Sequence, residues 1–319
     1  MQYMLLLTVK LDKKSDDLST SLQDKIRLGD MAIMLGVPLD NYPNIMNEAI
    51  TFVVNIYNKC FPSTNKSFVI SREDENSIPD TTKKIKILSC PSIELFKNSF
   101  FDKGVPLLLK GCINHWPALE KWRDLNYIQQ IANNRTVPIE LGSKYTDESW
   151  SQQLMTLREF ITEHIFKDAP NTTKGYLAQY RLFDQIPELL NDIHVPDYCC
   201  VSDIDSPPEI NAWFGPQGTI SPLHTDPKHN FLAQVVGVKQ VVLFSPDDNE
   251  YLYPHEAKML NNTSQIDLDN LDLNRFPLFM KAKRMTCTLR SGDMLYIPPK
   301  WWHHVTSRTI SFSVSFWFE

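Results

Sequence analysis

The first sixty residues carry apolar positions at helical spacing. Between residues 44 and 57 the apolar side chains recur three and four positions apart, which places them on one face of a helix. A preceding helix is predicted over residues 22–35. We interpret residues 1–62 as a small helical region that packs against the rest of the chain, with a partner-binding helix as the alternative.

A change of pattern follows. Residues 62–82 are polar and lack periodicity, so residues 63–82 are predicted to be a linker before a larger domain at 83–319. Short apolar runs with β character then alternate with helical insertions, one of which opens with a capping box from Thr156 to Glu159. Many short strands separated by turns predict a mainly β fold, a double-sheet barrel. The predicted strands lie at 105–110, 136–141, 210–214, 231–243, 293–297 and 311–318.

The last of these runs, residues 311–318, alternates with period two. One face is aromatic and aliphatic, whereas the other carries Ser311, Ser313, Ser315 and Trp317. A solvated serine face on an edge strand is one interpretation. A large ring among small hydroxyl residues favours the other, in which this face lines a cavity.

Composition narrows the class of protein. A hydrophobic fraction of 42%, a charged fraction of 22% and a net charge of −6 are typical of a soluble globular protein. Without a dense basic stripe we expect no direct nucleic-acid binding, and without about 20 consecutive apolar residues no membrane span. The six cysteines form no C-x-x-C pair, which favours free thiols in a reducing compartment. We therefore expect a nuclear or cytoplasmic protein.

A candidate metal site combines a close pair of residues with a distant third. His224 and Asp226 are two positions apart, so on an extended chain both side chains point to the same side. His303 follows the apolar run at 295–302 and offers the third ligand. Two histidines and one carboxylate form the facial triad of Fe(II) oxygenases, whereas structural zinc prefers a tetrahedral, carboxylate-poor site. Singly, these residues would suit a core histidine and a turn aspartate.

Lys239 supports the same hypothesis independently. It lies within the apolar run at 231–243, where a lysine either reaches water at a rim or is buried with an anionic partner. The far carboxylate of 2-oxoglutarate would be such a partner.

The order of H-x-D, strand lysine and late histidine resembles the jumonji-C (JmjC) family. The resemblance covers residues 85–319 and is carried by the segments at 175–179, 211–224, 262–267 and 313–317. It implies a double-stranded β-helix, the jelly-roll core of cupin-like JmjC domains, with Fe(II) as cofactor and 2-oxoglutarate and O2 as cosubstrates. By the same resemblance, the metal ligands are His224, Asp226 and His303, and the 2-oxoglutarate contacts are Tyr176, Ser221, Asn230, Lys239 and Trp317.

The resemblance also implies a substrate pocket. Its positions correspond to Glu140, Trp150, Gln179 and Trp213. A carboxylate beside aromatic faces suits a guanidinium, so C-3 hydroxylation of an arginyl residue in a protein substrate is the favoured function. N-methyl-lysine demethylation, as in a histone demethylase, is the alternative with the same cofactors. A non-catalytic chromatin or partner-binding module is the alternative from another class.

Overall fold

The computed structural model describes residues 15–62, 68–142, 150–167, 173–202, 204, 206–257 and 260–319. The chain begins with two antiparallel helices, α1 (Ser15–Leu35) and α2 (Ile45–Cys60). Leu22 and Ile26 of α1 pack against Ile50 and Val53 of α2, as the spacing of three and four predicts. Helix α1 begins seven residues before its predicted start, α2 ends three residues after its predicted end, and the helical N-terminal region is confirmed.

The two helices are fixed to the β domain by a buried ion pair. The Asp30 carboxylate on α1 accepts hydrogen bonds from Arg135 Nε at 2.8 Å and from the Thr136 backbone N–H at 2.7 Å. Both charged side chains are inaccessible to solvent. The N-terminal region therefore holds Thr136, the first residue of a strand in the β domain.

The described residues form thirteen strands in two sheets, which confirms the mainly β, cupin-like fold. One sheet has nine strands in the order β1-β2-β11-β8-β13-β6-β5-β3-β4, and the other has the order β10-β9-β12-β7. The strands are β1 (Lys86–Ser89), β2 (Leu107–Lys110), β3 (Thr136–Leu141), β4 (Ser151–Thr156), β5 (Gly175–Tyr180), β6 (Glu209–Gly215), β7 (Ile220–His224), β8 (His229–Val236), β9 (Val238–Phe244), β10 (Met285–Arg290), β11 (Asp293–Ile297), β12 (Trp302–Ser307) and β13 (Ser311–Phe318).

The apolar run predicted as one strand at 231–243 is two strands, β8 and β9, in different sheets. Gly237 makes the corner between them with a φ of +83°. A Cβ there would lie 2.0 Å from the Ile310 carbonyl oxygen, so only glycine fits. The corner moves the chain from one wall of the barrel to the other and places Lys239 inside it.

Short helices connect the strands. The capping box at Thr156 and Glu159 is confirmed, with both reciprocal hydrogen bonds present. The helices after α2 are α3 (Arg72–Asn76), α4 (Ile93–Phe96), α5 (Ala118–Lys121), α6 (Leu125–Ala132), α7 (Leu157–Phe160), α8 (Leu182–Gln185) and α9 (Pro187–Leu190), with π turns at Lys97–Phe101 and Ile161–Ile165 and 3₁₀ turns at Asp197–Val201, Pro246–Tyr251 and Pro277–Lys281.

The predicted linker at 63–82 contains α3, and residues 63–67 lie outside the described residues. Glu75 of α3 is buried, receives two hydrogen bonds from Arg123 at 2.7 and 3.1 Å, and accepts the Gly237 N–H at 2.8 Å. This part of the chain is therefore packed against the barrel. The three predicted domain boundaries stay predictions. Among the described residues no helix is long and apolar enough to cross a membrane.

The last strand, β13, is buried on both faces. Phe312, Val314 and Phe316 belong to the main hydrophobic core. On the opposite face the Ser313 hydroxyl donates to Gln234 Oε1 at 2.7 Å, and the Ser315 hydroxyl accepts the Trp213 Nε1–H at 2.9 Å. The serine face therefore lines the barrel interior, as the cavity interpretation predicts, and is not solvated.

Candidate metal and cosubstrate site

Two neighbouring strands bring the three predicted metal ligands together. His224 ends β7, Asp226 follows two residues later, and His303 lies on β12. These strands are antiparallel, and His303 is the direct partner of His224 in their register. The distance of 79 positions along the sequence is thus closed by one strand pairing.

The ligand atoms are close enough to hold one ion. Asp226 lies with one carboxylate oxygen 3.8 Å from His224 Nε2 and the other 3.4 Å from His303 Nε2. An ion can bridge ligand atoms up to about 4.2 Å apart at bond lengths of about 2.1 Å. Among the described residues these three form the one group of histidine, cysteine and acidic side chains with atoms this close.

The remaining ring nitrogens orient the two imidazoles. His224 Nδ1 lies 2.6 Å from the Pro222 carbonyl oxygen, and His303 Nδ1 lies 2.9 Å from the Trp301 carbonyl oxygen. A carbonyl can only accept, so each Nδ1 carries a hydrogen, and each Nε2 faces Asp226 and is the nitrogen left to bind an ion. Hydrogen bonding of the second nitrogen is the usual support for a metal-binding histidine.

The electrostatics also suit a cation. Burial, with a smaller contribution from His303, lowers the pKa of His224 to about 4, so that its imidazole is neutral. Burial disfavours the charged forms of Asp226 and His303, but their mutual contact outweighs it, lowering the pKa of Asp226 and raising that of His303. The carboxylate is therefore ionised, as a metal ligand must be.

Behind the ligands lies a narrow recess that contains Lys239. Its side chain is 1% exposed, and burial lowers the pKa of the ammonium to about 7. Nζ lies 3.2 Å from the Tyr176 hydroxyl, and among the described residues it forms no ion pair. The solvent-exposed alternative is therefore wrong. A buried ammonium without a carboxylate is costly unless a ligand supplies the negative charge.

Other buried polar groups around this recess also lack a hydrogen-bonding partner among the described residues. The Asn230 Oδ1 and Trp317 Nε1 atoms are buried without hydrogen bonds among the described residues. Tyr176 is hydrogen-bonded to Ser221, and burial raises the pKa of its hydroxyl. An ammonium, a hydroxyl and an amide in the recess, with an indole N–H in the adjoining cavity, fit the carboxylates of a small keto-diacid.

The recess opens into an outer cavity of about 380 Å³. Glu140, Gln179 and Trp213 line it together with His224 and Asp226. The Trp150 indole N–H lies at its edge and donates to Glu140 at 3.3 Å. Burial raises the pKa of Glu140, and the Trp150 contact partly offsets this rise. Three of the four predicted substrate residues thus line the cavity that contains the metal ligands, and the fourth, Trp150, contacts Glu140.

The structure also shows features around the cavity that the sequence pattern did not predict. Gln179 adopts a left-handed backbone conformation, with a φ of 45°, which no local pattern signals. His304 follows the ligand His303, and its Nε2 lies 3.7 Å from an Asp269 carboxylate oxygen. The cavity is also lined by three residues that the sequence analysis did not assign to it, Leu260, Asn262 and Thr263. The segment at 262–267 carried part of the family resemblance, which was the one available signal.

Comparison with known proteins agrees with this geometry. Residues 93–319 match the model of the cupin-like domain family. Lysine-specific demethylase 8 of Danio rerio is 43% identical over 308 residues, covering 93% of this chain and 75% of that protein. The chain belongs to the cupin-like jumonji-C family. Lysine-specific demethylase 8 of Xenopus tropicalis and Jumonji C domain-containing protein 5 of Drosophila melanogaster are each 51% identical, over 75% and 73% of this chain and 54% and 59% of those proteins.

Family membership identifies the class of enzyme. JmjC proteins are 2-oxoglutarate-dependent oxygenases that use Fe(II), and the donor set of the site fits both groups. The chain spans about half of the frog relative's length and 59% of the fly relative's. The substrate has therefore to be inferred from the residues that line the cavity of this chain.

Proposed function

We propose that the chain is an Fe(II)- and 2-oxoglutarate-dependent protein hydroxylase that acts at C-3 of an arginyl residue. The observation that carries the proposal is the position of Glu140. Its carboxylate shares the outer cavity with the metal ligands and is partly desolvated, which raises its pKa. A carboxylate in such a site gains most from a partner that remains charged at every physiological pH.

Each part of the site has a defined task in this function. His224, Asp226 and His303 would hold Fe(II), while Lys239, Tyr176, Asn230 and Trp317 would bind the cosubstrate carboxylates. Bound together, the iron and 2-oxoglutarate supply the oxidising power to insert one oxygen atom of O2 into a C–H bond. The protein fixes which C–H bond is presented and keeps water from the site.

The shape of the outer cavity favours arginine. Glu140 can accept two parallel hydrogen bonds from a guanidinium, Trp213 lines the same cavity, and Trp150 contacts Glu140. In this proposal the guanidinium binds Glu140, and the carbons near the peptide backbone lie closest to His224 and Asp226. The side chain would thus be oxidised near its base and not at its charged end.

Demethylation of N-methyl-lysine is the second candidate, favoured by the names of the zebrafish and frog relatives. It needs the methylammonium itself beside the metal ligands. A di- or trimethylated ammonium offers Glu140 at most one N–H donor, whereas a guanidinium offers it a pair. Methylammonium groups also prefer a cage of aromatic rings to a single carboxylate.

Mass spectrometry of paired peptides tests the proposal. Matched peptides that contain arginine or dimethyl-lysine at one position are incubated with Fe(II), 2-oxoglutarate and O2. We expect a gain of one oxygen on arginine and no formaldehyde. Formaldehyde from the lysine peptide would instead establish demethylation.

The inactive control for this assay is Asp226→Ala. Changing a residue that only supports a ligand costs about 10–100-fold, so loss of a ligand should cost more than about a hundredfold. Asp24→Ala, at an exposed position on α1, is the matched substitution that should leave turnover unchanged. Metal binding without succinate formation on any peptide would favour the non-catalytic module.

A further inference from the structure

The segment Asn262–Ser264 lies along the end of the metal-binding strand β7. The Ser264 N–H donates to the Leu223 carbonyl and the Thr225 N–H donates to the Asn262 carbonyl, both at 2.8 Å. These two bonds lie on either side of His224, which pairs with Thr263 in an antiparallel bridge. The segment therefore acts as an additional short strand beside the first metal ligand.

The Asn262 side chain makes a second contact to the same place. Its Nδ2 donates to the Thr225 carbonyl oxygen at 3.1 Å. Both backbone polar groups of Thr225 are thus bonded to Asn262, one through the main chain and one through the side chain. Thr225 is the residue between the ligands His224 and Asp226.

The two contacts fix different peptide planes. The Thr225 N–H belongs to the plane that joins it to His224, and the Thr225 carbonyl belongs to the plane that joins it to Asp226. Because each plane is rigid, holding the carbonyl fixes the direction in which the Asp226 side chain leaves the backbone. On the far side, the Asp226 carbonyl accepts the Lys300 N–H at 2.8 Å. Hydrogen bonds therefore hold both of the peptide groups that flank the Cα of Asp226.

We propose that Asn262 is a positioning residue for the metal, whose side-chain amide sets the separation of His224 and Asp226. The proposal rests on the proposed function only in requiring that these residues bind a divalent ion. Asn262 also lines the outer cavity and is exposed there. The residue therefore connects the wall that a substrate touches with the geometry of the ion.

The test compares Asn262→Leu with Asn261→Leu. Leucine keeps the branching and the heavy-atom count of asparagine and removes the donor, and Asn261 is an exposed neighbour of the same type. The Co(II) dissociation constant and the visible absorption spectrum of bound Co(II) are measured without peptide or 2-oxoglutarate. We expect Asn262→Leu to raise the dissociation constant about tenfold and to change the spectrum, and Asn261→Leu to do neither.

The possible failures are distinguishable. A wild-type protein that binds no Co(II) would overturn the proposed function itself. Wild-type affinity and spectrum in a folded Asn262→Leu variant would overturn only the role of Asn262. Should circular dichroism show that Asn262→Leu does not fold, Asn262→Ala is measured with the same expectation, since it introduces no new bulk.

Discussion

The two sides of the cavity around the metal ligands are built differently. The inner recess consists of strand side chains such as Lys239 and Asn230, which are buried and held in register by neighbouring strands. The outer cavity is lined by Glu140 near the end of β3, by Gln179 and by Asn262, and Trp150, which is 36% exposed, contacts Glu140. Buried charges make strong, unscreened interactions, whereas exposed ones are weakened by water. The inner side should therefore determine the chemistry and the outer side the choice of substrate.

The largest effect is expected inside the recess. Lys239→Met preserves the length of the side chain and removes its charge, so the cosubstrate carboxylate loses its ion pair. At about 1.5–3 kcal/mol for a hydrogen bond to a charged group, the dissociation constant of 2-oxoglutarate should rise by about 10–150-fold. Titration calorimetry with Mn(II) present measures it, and Lys86→Met at an exposed position is the control. Equal weakening of metal and cosubstrate would contradict the distinction.

The pH dependence of cosubstrate binding sharpens the same point. Burial lowers the pKa of free Lys239 to about 7, and a bound carboxylate stabilises the ammonium and raises that pKa. Above pH 7, binding must therefore take up a proton, and affinity should fall by up to about tenfold per pH unit until the pKa of the complex is reached. Calorimetry at pH 8 in two buffers of different ionisation enthalpy measures the uptake. A Lys239→Met variant with undiminished uptake would show that another group is responsible.

On the outer side, Glu140→Gln should weaken the binding of the peptide substrate without affecting the binding of 2-oxoglutarate. The neutral amide keeps the shape but loses the charge that faces the guanidinium, so KM for an arginyl peptide should rise about tenfold. KM for 2-oxoglutarate should stay within about twofold. Gln153→Glu, on the opposite face of the adjacent strand β4, serves as a control for the change of charge. A rise in both KM values would mean that the two sides are not separable.

The smallest effect is expected for Trp150→Phe. It keeps an aromatic face and removes the indole N–H that donates to Glu140. Loss of one partly exposed hydrogen bond, worth about 0.5–1.5 kcal/mol, should raise the peptide KM by about 2–10-fold. Steady-state kinetics with the arginyl peptide measure the change. Because kcat reports the metal centre, a fall in kcat at constant KM would place Trp150 in the wrong half of the site.

The same contrast explains what could be predicted from the sequence. Alternation along residues 311–318 records which side chains face the barrel interior, so the cavity face of β13 follows directly. The H-x-D pair and His303 needed only one inference, that the fold brings distant strands together. These predictions rest on local periodicity and on residue chemistry, which the sequence states explicitly.

Features that depend on contacts between distant segments could not be predicted in this way. Gly237 divides an uninterrupted apolar run because the Ile310 carbonyl leaves no space for a Cβ. The left-handed conformation of Gln179 and the pairing of Asn262 with Thr225 leave no periodic trace. The functional assignments of the individual side chains likewise stay predictions until the variants are measured.

Through the buried ion pair between Asp30 and Arg135, the N-terminal helices affect the strand that carries Glu140. A shortened chain that begins at residue 83 would leave the Arg135 guanidinium enclosed without its carboxylate, at a cost of about 3–5 kcal/mol. The next residue opens the strand on which Glu140 sits four positions further along. Removing residues 1–82 would therefore destabilise the start of the strand that carries Glu140, although every metal ligand would still be present.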